Sequence, residues 1–176
     1  MGNTIGLNNK NRNNIKPLSM SNTLTAIFLE ALVLSGSLTA NTNREKELII
    51  WLAQRDQEVV GIGTVGFDID ELPWTTESFI AEKQFLLKAL DNAISGFEWS
   101  KLSYEPNNEM VIRRLDHFKK MIIEFEVNDV DEQQYLDWIE NNDQDETPTI
   151  PRGYPKCEKH NILLSCHGCL ICNNEY

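Results

Sequence analysis

The first 156 residues of this 176-residue chain contain no cysteine, and only one of the three histidines, His117. The body of the chain therefore lacks the donors for a disulfide framework or a soft-metal cluster. Between Met121 and Ile150 there is no lysine or arginine, against ten acidic residues, and this stretch supplies most of the net charge of -11. A field of that sign repels phosphates, which argues against nucleic-acid binding by this part. The longest apolar stretch, AIFLEALVL, is nine residues and holds Glu30, too short and too polar to span a membrane. Neither H-E-x-x-H nor the H-x-E and P-C-x-x-C pair of a zinc deaminase occurs, so two common metal-hydrolase signatures are missing. No sustained alternating strand pattern and no internal repeat is evident.

What is present reads as helices. Asn22 or Thr23 can cap a helix with Leu24, Ile27, Phe28, Ala31 and Leu34 on one face, ended by Gly36. Thr42 and Glu45 form a capping-box pattern ahead of Leu48, Ile49, Leu52 and Ala53. Thr75 or Thr76 can cap a third helix bearing Phe79, Leu86, Leu90, Ala93 and Phe97, with Gly96 near its end. After Pro106, an asparagine cap opens a fourth with Val111, Leu115, Phe118, Ile122 and Phe125 in register. A shorter fifth falls around Tyr135, Leu136, Trp138 and Ile139. The expected fold is all-α, a small helical bundle over residues 21–140. A disordered, asparagine-rich leader (1–20) precedes it, and an acidic, proline-rich linker (141–155) joins it to a separate metal-binding tail (156–176). Trp51, Trp74, Trp99 and Trp138 read as core or rim residues.

The opening residues also mimic a secretory signal, with Lys10 to Lys16 ahead of the apolar stretch. Glu30 inside that stretch and the long polar leader argue against one. A cytoplasmic protein is the expectation, and in a reducing compartment clustered cysteines are metal ligands more often than disulfides.

Two motifs compete for a ligand. Gly61, Gly63 and Gly66 in GIGTVG match dinucleotide-binding spacing, but they follow an expected helix instead of a strand, and FDIDELPW puts acids and a proline where a phosphate-binding helix should start. The run reads as an interhelical loop. In the tail, Cys157 and His160 form C-x2-H, and Cys169 and Cys172 form C-x2-C, eight residues apart. Two close pairs that each aim two donors inward are what a tetrahedral zinc ion requires. Cys166 and His167 are spare donors, and either could replace one of the four. Four protein ligands with no open position imply a structural zinc site and no enzymatic activity. Glu158 lies near as an acid, and His117 reads as a surface histidine.

The segment GFDIDELPWTTESFIAEKQFLL, continued by FEWSKLSYEP and closed by CEKHNILLSCHGCLICNN, resembles the small acidic immunity proteins encoded beside polymorphic toxins or in mobile elements of Gram-positive bacteria. The resemblance covers about residues 60–174 by general character and carries no diagnostic motif. It implies a non-enzymatic protein that binds a basic partner, such as a toxin nuclease, or a phage inhibitor of a defence enzyme. An acidic surface can occupy the basic groove of a nuclease. The candidate contacts are Asp68, Asp70, Glu71 and Trp74 in the loop, and Asp129, Asp131, Asp137 and Glu140 in the acidic stretch, each of which equally suits a solvated face. The alternative is a zinc-finger adaptor contacting nucleic acid through its tail. Only Arg152, Lys156 and Lys159 supply positive charge there.

Overall fold

The fold is described from a computed structural model, in which residues 2–7, 15–103, 105, 107–143 and 149–175 are described. Helices make up most of it: α1 (Asn22–Thr39), α2 (Asn43–Ala53), α3 (Phe79–Ile94), α4 (Asn108–Glu124), α5 (Glu132–Asp143) and the short α6 (Leu170–Asn173). Strands are also present, which corrects the all-α expectation to a helical majority. β1 (Gly2–Gly6) pairs antiparallel with β2 (Leu18–Ser21) and parallel with β5 (Phe67–Asp68), with Ile5 opposite both Leu18 and Phe67. β3 (Asp56–Gln57) and β4 (Gly63–Thr64) form a separate hairpin.

The supposedly disordered leader is therefore structured at both ends, while residues 8–14 lie outside the described residues. Ile5, Leu18 and Met20 are buried and alternate with the exposed Thr4 and Ser19. The alternation spans only four or five residues in each strand, and its polar members are Asn, Thr and Ser, so composition hid it.

α1 is the central element. It is long and apolar enough by composition to cross a membrane, yet every residue from Ile27 to Ser37 is buried against other parts of the protein. Ser21, not Asn22 or Thr23, is its cap, accepting from the Leu24 N–H at 3.2 Å. Gly36 does not end the helix. A Cβ there would collide with the Ile49 side chain, so this glycine lets α2 pack close and α1 runs on to Thr39. The Thr42 and Glu45 capping box forms as expected, and Asn107 caps α4 through the Met110 N–H at 3.1 Å. Pro106 lies outside the described residues. At α3 the cap position is Ser78, not Thr75 or Thr76, and it makes no side-chain capping bond; the Thr75 hydroxyl instead accepts from the Ser78 N–H at 3.3 Å. Phe97, expected inside, is 43% exposed.

Only Gly61 lies in the turn of the β3–β4 hairpin, while Gly63 opens β4; their φ of 79° and 83° is a left-handed backbone that side chains disfavour, and Gly66 lies close against the Thr4 backbone. This accounts for GIGTVG without a nucleotide. Edge-on aromatic contacts link Phe28, Phe67 and Phe118, and Trp74 stacks on Phe125 at 5.3 Å. Glu30 is fully buried in α1, where Ser103 Oγ donates to it at 3.0 Å. Burial pushes its carboxyl up to about 7, with the Ser103 hydrogen bonds pulling the other way.

The tail was expected to be independent of the bundle, and it is not. Ile162, Leu163, Leu170 and Ile171 are 0 to 3% exposed and belong to the same buried cluster as α1. Such side chains contribute roughly 1.5–3 kcal/mol each relative to exposure, which outweighs any single polar contact holding the tail. Polar contacts then fix its register. The Leu163 N–H donates to Ser37 Oγ at 3.0 Å, Lys156 Nζ to the Ser37 carbonyl at 3.0 Å, and Asn174 Nδ2 to Asp56 at 2.7 Å. The connector is tied down as well, at least over residues 149–155. Gln54 Nε2 donates to the Thr149 carbonyl at 3.0 Å, Ile150 is buried, and the Tyr154 hydroxyl donates to Glu47 at 3.2 Å. Residues 144–148 of the expected linker lie outside the described residues.

Candidate metal centre

Two tight turns build the centre. In the first, Lys156 bridges Leu163 antiparallel, the Cys157 N–H donates to the Ile162 carbonyl at 2.8 Å, and the Asn161 N–H donates back to the Cys157 carbonyl at 2.7 Å. Asn161 takes a left-handed conformation with φ of 56°, one that asparagine tolerates better than most side chains. The chain reverses over CEKHN, so Cys157 and His160 face the same way. In the second, Ser165 bridges Gly168, whose φ is 84°, and the chain enters α6 with Cys169 as its cap. The Cys169 sulfur accepts from the Cys172 N–H at 3.5 Å.

The turns converge. The donor atoms of Cys157, His160, Cys169 and Cys172 all lie within 4.8 Å of one another, and the group could hold a metal ion. His160 Nδ1 is 3.7, 3.5 and 3.3 Å from the sulfurs of Cys157, Cys169 and Cys172, and the Cys157 and Cys172 sulfurs are 3.7 Å apart. All four cysteines are free thiols. Cys169 and His160 form the buried, inward edge of the group, whereas Cys172 is exposed and Cys157 half-buried. The spare donors Cys166 and His167 are not part of it. Cys166 is exposed, and the backbone of His167 is engaged by Ser165 Oγ and by Asn173 Nδ2.

A carboxylate that the sequence reading did not single out completes the arrangement. Glu175 Oε1 sits 2.8 Å from His160 Nε2, and its other oxygen accepts from Lys159 Nζ at 2.6 Å. The hydrogen bond from Lys159, reinforced by His160, holds the Glu175 carboxyl below its usual range. It can therefore only accept, which keeps the imidazole proton on Nε2 and leaves the Nδ1 lone pair facing the sulfurs. Burial disfavours thiolates here, and pushes the Cys169 thiol up to about 12. At Cys157 burial is outweighed by hydrogen bonds from His160, through backbone and ring, and from the Lys159 backbone, which bring the thiol down to about 6. Three sulfurs packed this closely become tolerable as thiolates once a divalent cation sits among them.

The acidic candidates divide. Trp74 is withdrawn as a contact: it is 0% exposed, stacked in the core, with Nε1 donating to the Ile69 carbonyl at 2.8 Å. No partner reaches it without unfolding the protein. Glu71 is exposed and accepts from the Asp68 N–H at 2.5 Å, while Asp68 and Asp70 are half-buried. Burial, then repulsion from Asp68, Glu71 and Asp131, raises the Asp70 carboxyl above its usual value, so the loop and the start of α5 share one electrostatic neighbourhood. Asp131, Asp137 and Glu140 are exposed, and Asp129 is half-buried, accepting from the Glu126 N–H at 2.9 Å. His117 Nε2 lies 2.7 Å from the Lys16 carbonyl.

Compared with protein families, with curated proteins and with solved structures, the chain matches none, and the reading of the site stands on its own geometry.

Proposed function

We propose that the four donors hold one structural zinc ion, and that the protein is a non-enzymatic acidic binding protein of the cytoplasm that silences a basic partner protein. The observation that supports the zinc reading is the size of the donor group. Zinc bonds of about 2.3 Å to sulfur and about 2.0–2.1 Å to nitrogen, arranged tetrahedrally, require edges of about 3.8 Å between sulfurs and about 3.6 Å from sulfur to nitrogen. The Cys157 to Cys172 edge of 3.7 Å and the three imidazole edges of 3.3 to 3.7 Å fit within a few tenths of an ångström. Three soft sulfurs and one imidazole favour zinc over magnesium or calcium, which take oxygen ligands. Four protein donors close the coordination shell, and the Glu175 contact to His160 is the outer partner that orients a ligating imidazole.

The binding role is supported by the negative charge of Asp68, Asp70, Glu71 and Asp131, whose mutual repulsion, after burial, raises the Asp70 carboxyl. Such a surface speeds encounter with a basic groove and adds specificity. The partner class is a toxin, such as a nuclease, or a defence enzyme. Affinity capture of the tagged protein from its native cells, at low and moderate salt, tests this. One stoichiometric basic protein, silenced in the complex and bound about tenfold more slowly by a Glu71→Lys, Asp131→Lys variant at low salt, is the expected result. Nucleic acid retained without such a protein would overturn it.

A further inference from the structure

We propose that the outward edge of the centre, Cys157 and Cys172, is a peroxide-reactive dithiol whose oxidation to a disulfide releases the zinc ion. This inference rests on the zinc reading of the same four donors and adds a second chemistry to them.

The asymmetry of the site carries it. Cys169 and His160 are buried, at 7% and 4% exposure, so a dissolved oxidant has no path to the inward edge. Cys172 is exposed and Cys157 half-buried, and their sulfurs are 3.7 Å apart. Closing that gap to a disulfide length of about 2.05 Å asks for a sulfur movement of about 1.7 Å, within reach of side-chain rotation. Cys172 sits one turn into α6 with its N–H held by the Cys169 sulfur, and Cys157 sits on the first turn, so each arrives from a different segment.

Zinc has no accessible redox chemistry, so both electrons come from sulfur. The Cys172 thiolate attacks one peroxide oxygen. The O–O bond breaks, a sulfenic acid forms, and the second oxygen leaves as hydroxide that is protonated to water. The Cys157 thiolate then attacks the sulfenic sulfur, forming the S–S bond as the S–O bond breaks and a second water departs. Two thiolates, two protons and one peroxide give one disulfide and two waters. Of the four donors, Cys169 and His160 remain, 3.5 Å apart, and two ligands do not hold a tetrahedral ion against solvent. The disulfide joins the same two turns that the metal bridged. Oxidation therefore exchanges one staple for another, and the tail stays on the core while the ion leaves.

The test uses the full chain carrying Cys166→Ser, which removes the exposed thiol outside the donor group. Zinc is first counted in the reduced protein, then hydrogen peroxide is added while release is followed with a chromogenic chelator. Disulfides are mapped by peptide mass, and helical content is followed by circular dichroism. The expected result is one zinc released for each Cys157 to Cys172 disulfide, with helical content retained, and recovery of bound zinc after a thiol reductant and zinc are returned. Zinc-loaded protein that keeps its ion under peroxide, or that loses it with Cys169 in the disulfide, overturns this proposal and leaves the zinc reading standing. Reduced protein that carries no zinc overturns the zinc reading and the release step together.

Discussion

The tail and α5 exchange the places that their sequences suggest. The tail, behind a run of acids and prolines, reads as an appendage. It puts Ile162, Leu163, Leu170 and Ile171 into the main core. α5 has helical periodicity and a tryptophan, and reads as a bundle member, yet none of its described side chains is fully buried and Leu136 is 53% exposed. It is held by the Thr76 N–H donating to Glu132 at 2.5 Å, by Arg44 over the Tyr135 ring at 4.2 Å, and by Trp138 Nε1 donating to Gln54 at 3.2 Å. Periodicity reports that a segment is amphipathic, but not how much of its apolar face finds a partner. An irregular segment with few apolar residues can bury most of them when two tight turns fix its local order, as Ile162, Leu163, Leu170 and Ile171 are buried here.

The largest expected effect breaks the contrast at its root. Cys169→Ser, or chelation of wild-type protein, is expected to destabilise the whole molecule by several kcal/mol, since structural zinc contributes folding free energy outright. Thermal unfolding followed by circular dichroism checks this. A helical transition at an unchanged temperature would mean that the tail is the appendage its sequence suggests. Next, Leu163→Ala and Ile171→Ala should each cost about 2–5 kcal/mol, while Leu136→Ala on α5 should stay within about 0.5 kcal/mol. Equal losses in denaturant titrations would erase the difference between the two regions.

A third effect concerns the buried acid of α1. The Glu30 carboxyl is raised to about 7 in the fold, above its unfolded value of about 4.5. The folded state therefore binds this proton more tightly. The group costs nothing below about pH 4.5, and its penalty grows as pH rises through 7, to on the order of 3 kcal/mol above that. Glu30→Gln is expected to stabilise the protein at pH 8 and to flatten the fall in stability between pH 5 and 7. A variant less stable than wild type at pH 8 would contradict the assignment of burial as the cause. A smaller effect belongs to the polar anchor of α5: Trp138→Phe removes the hydrogen bond to Gln54 and should cost about 1 kcal/mol.

What could be read from the chain depended on the range of the interaction. Local signals carried over, including the Thr42 and Glu45 capping box, the Asn107 cap, Gly96 with its left-handed φ of 79° just past α3, and the two close donor pairs of the tail. Long-range pairing did not. β1 meets β5 across about sixty residues of sequence, and nothing in GNTIG announces a partner. Gly36 looked like a helix stop because its local effect is the same whether the chain ends or another helix approaches. Glu175 was missed because an acid three residues after Cys172 in an acidic protein is unremarkable until His160 is seen beside it. Trp74, read both as a core residue and as a contact beside the loop acids, is settled by its neighbours in space, Phe79 and Phe125, which its sequence does not reveal.

The most direct measurement is the metal content of the reduced protein, purified without withholding metal, set against its Cys169→Ser variant. One zinc per chain in the wild type and none retained by the variant is the expected result. A folded wild-type chain that carries no metal would contradict the account at its centre.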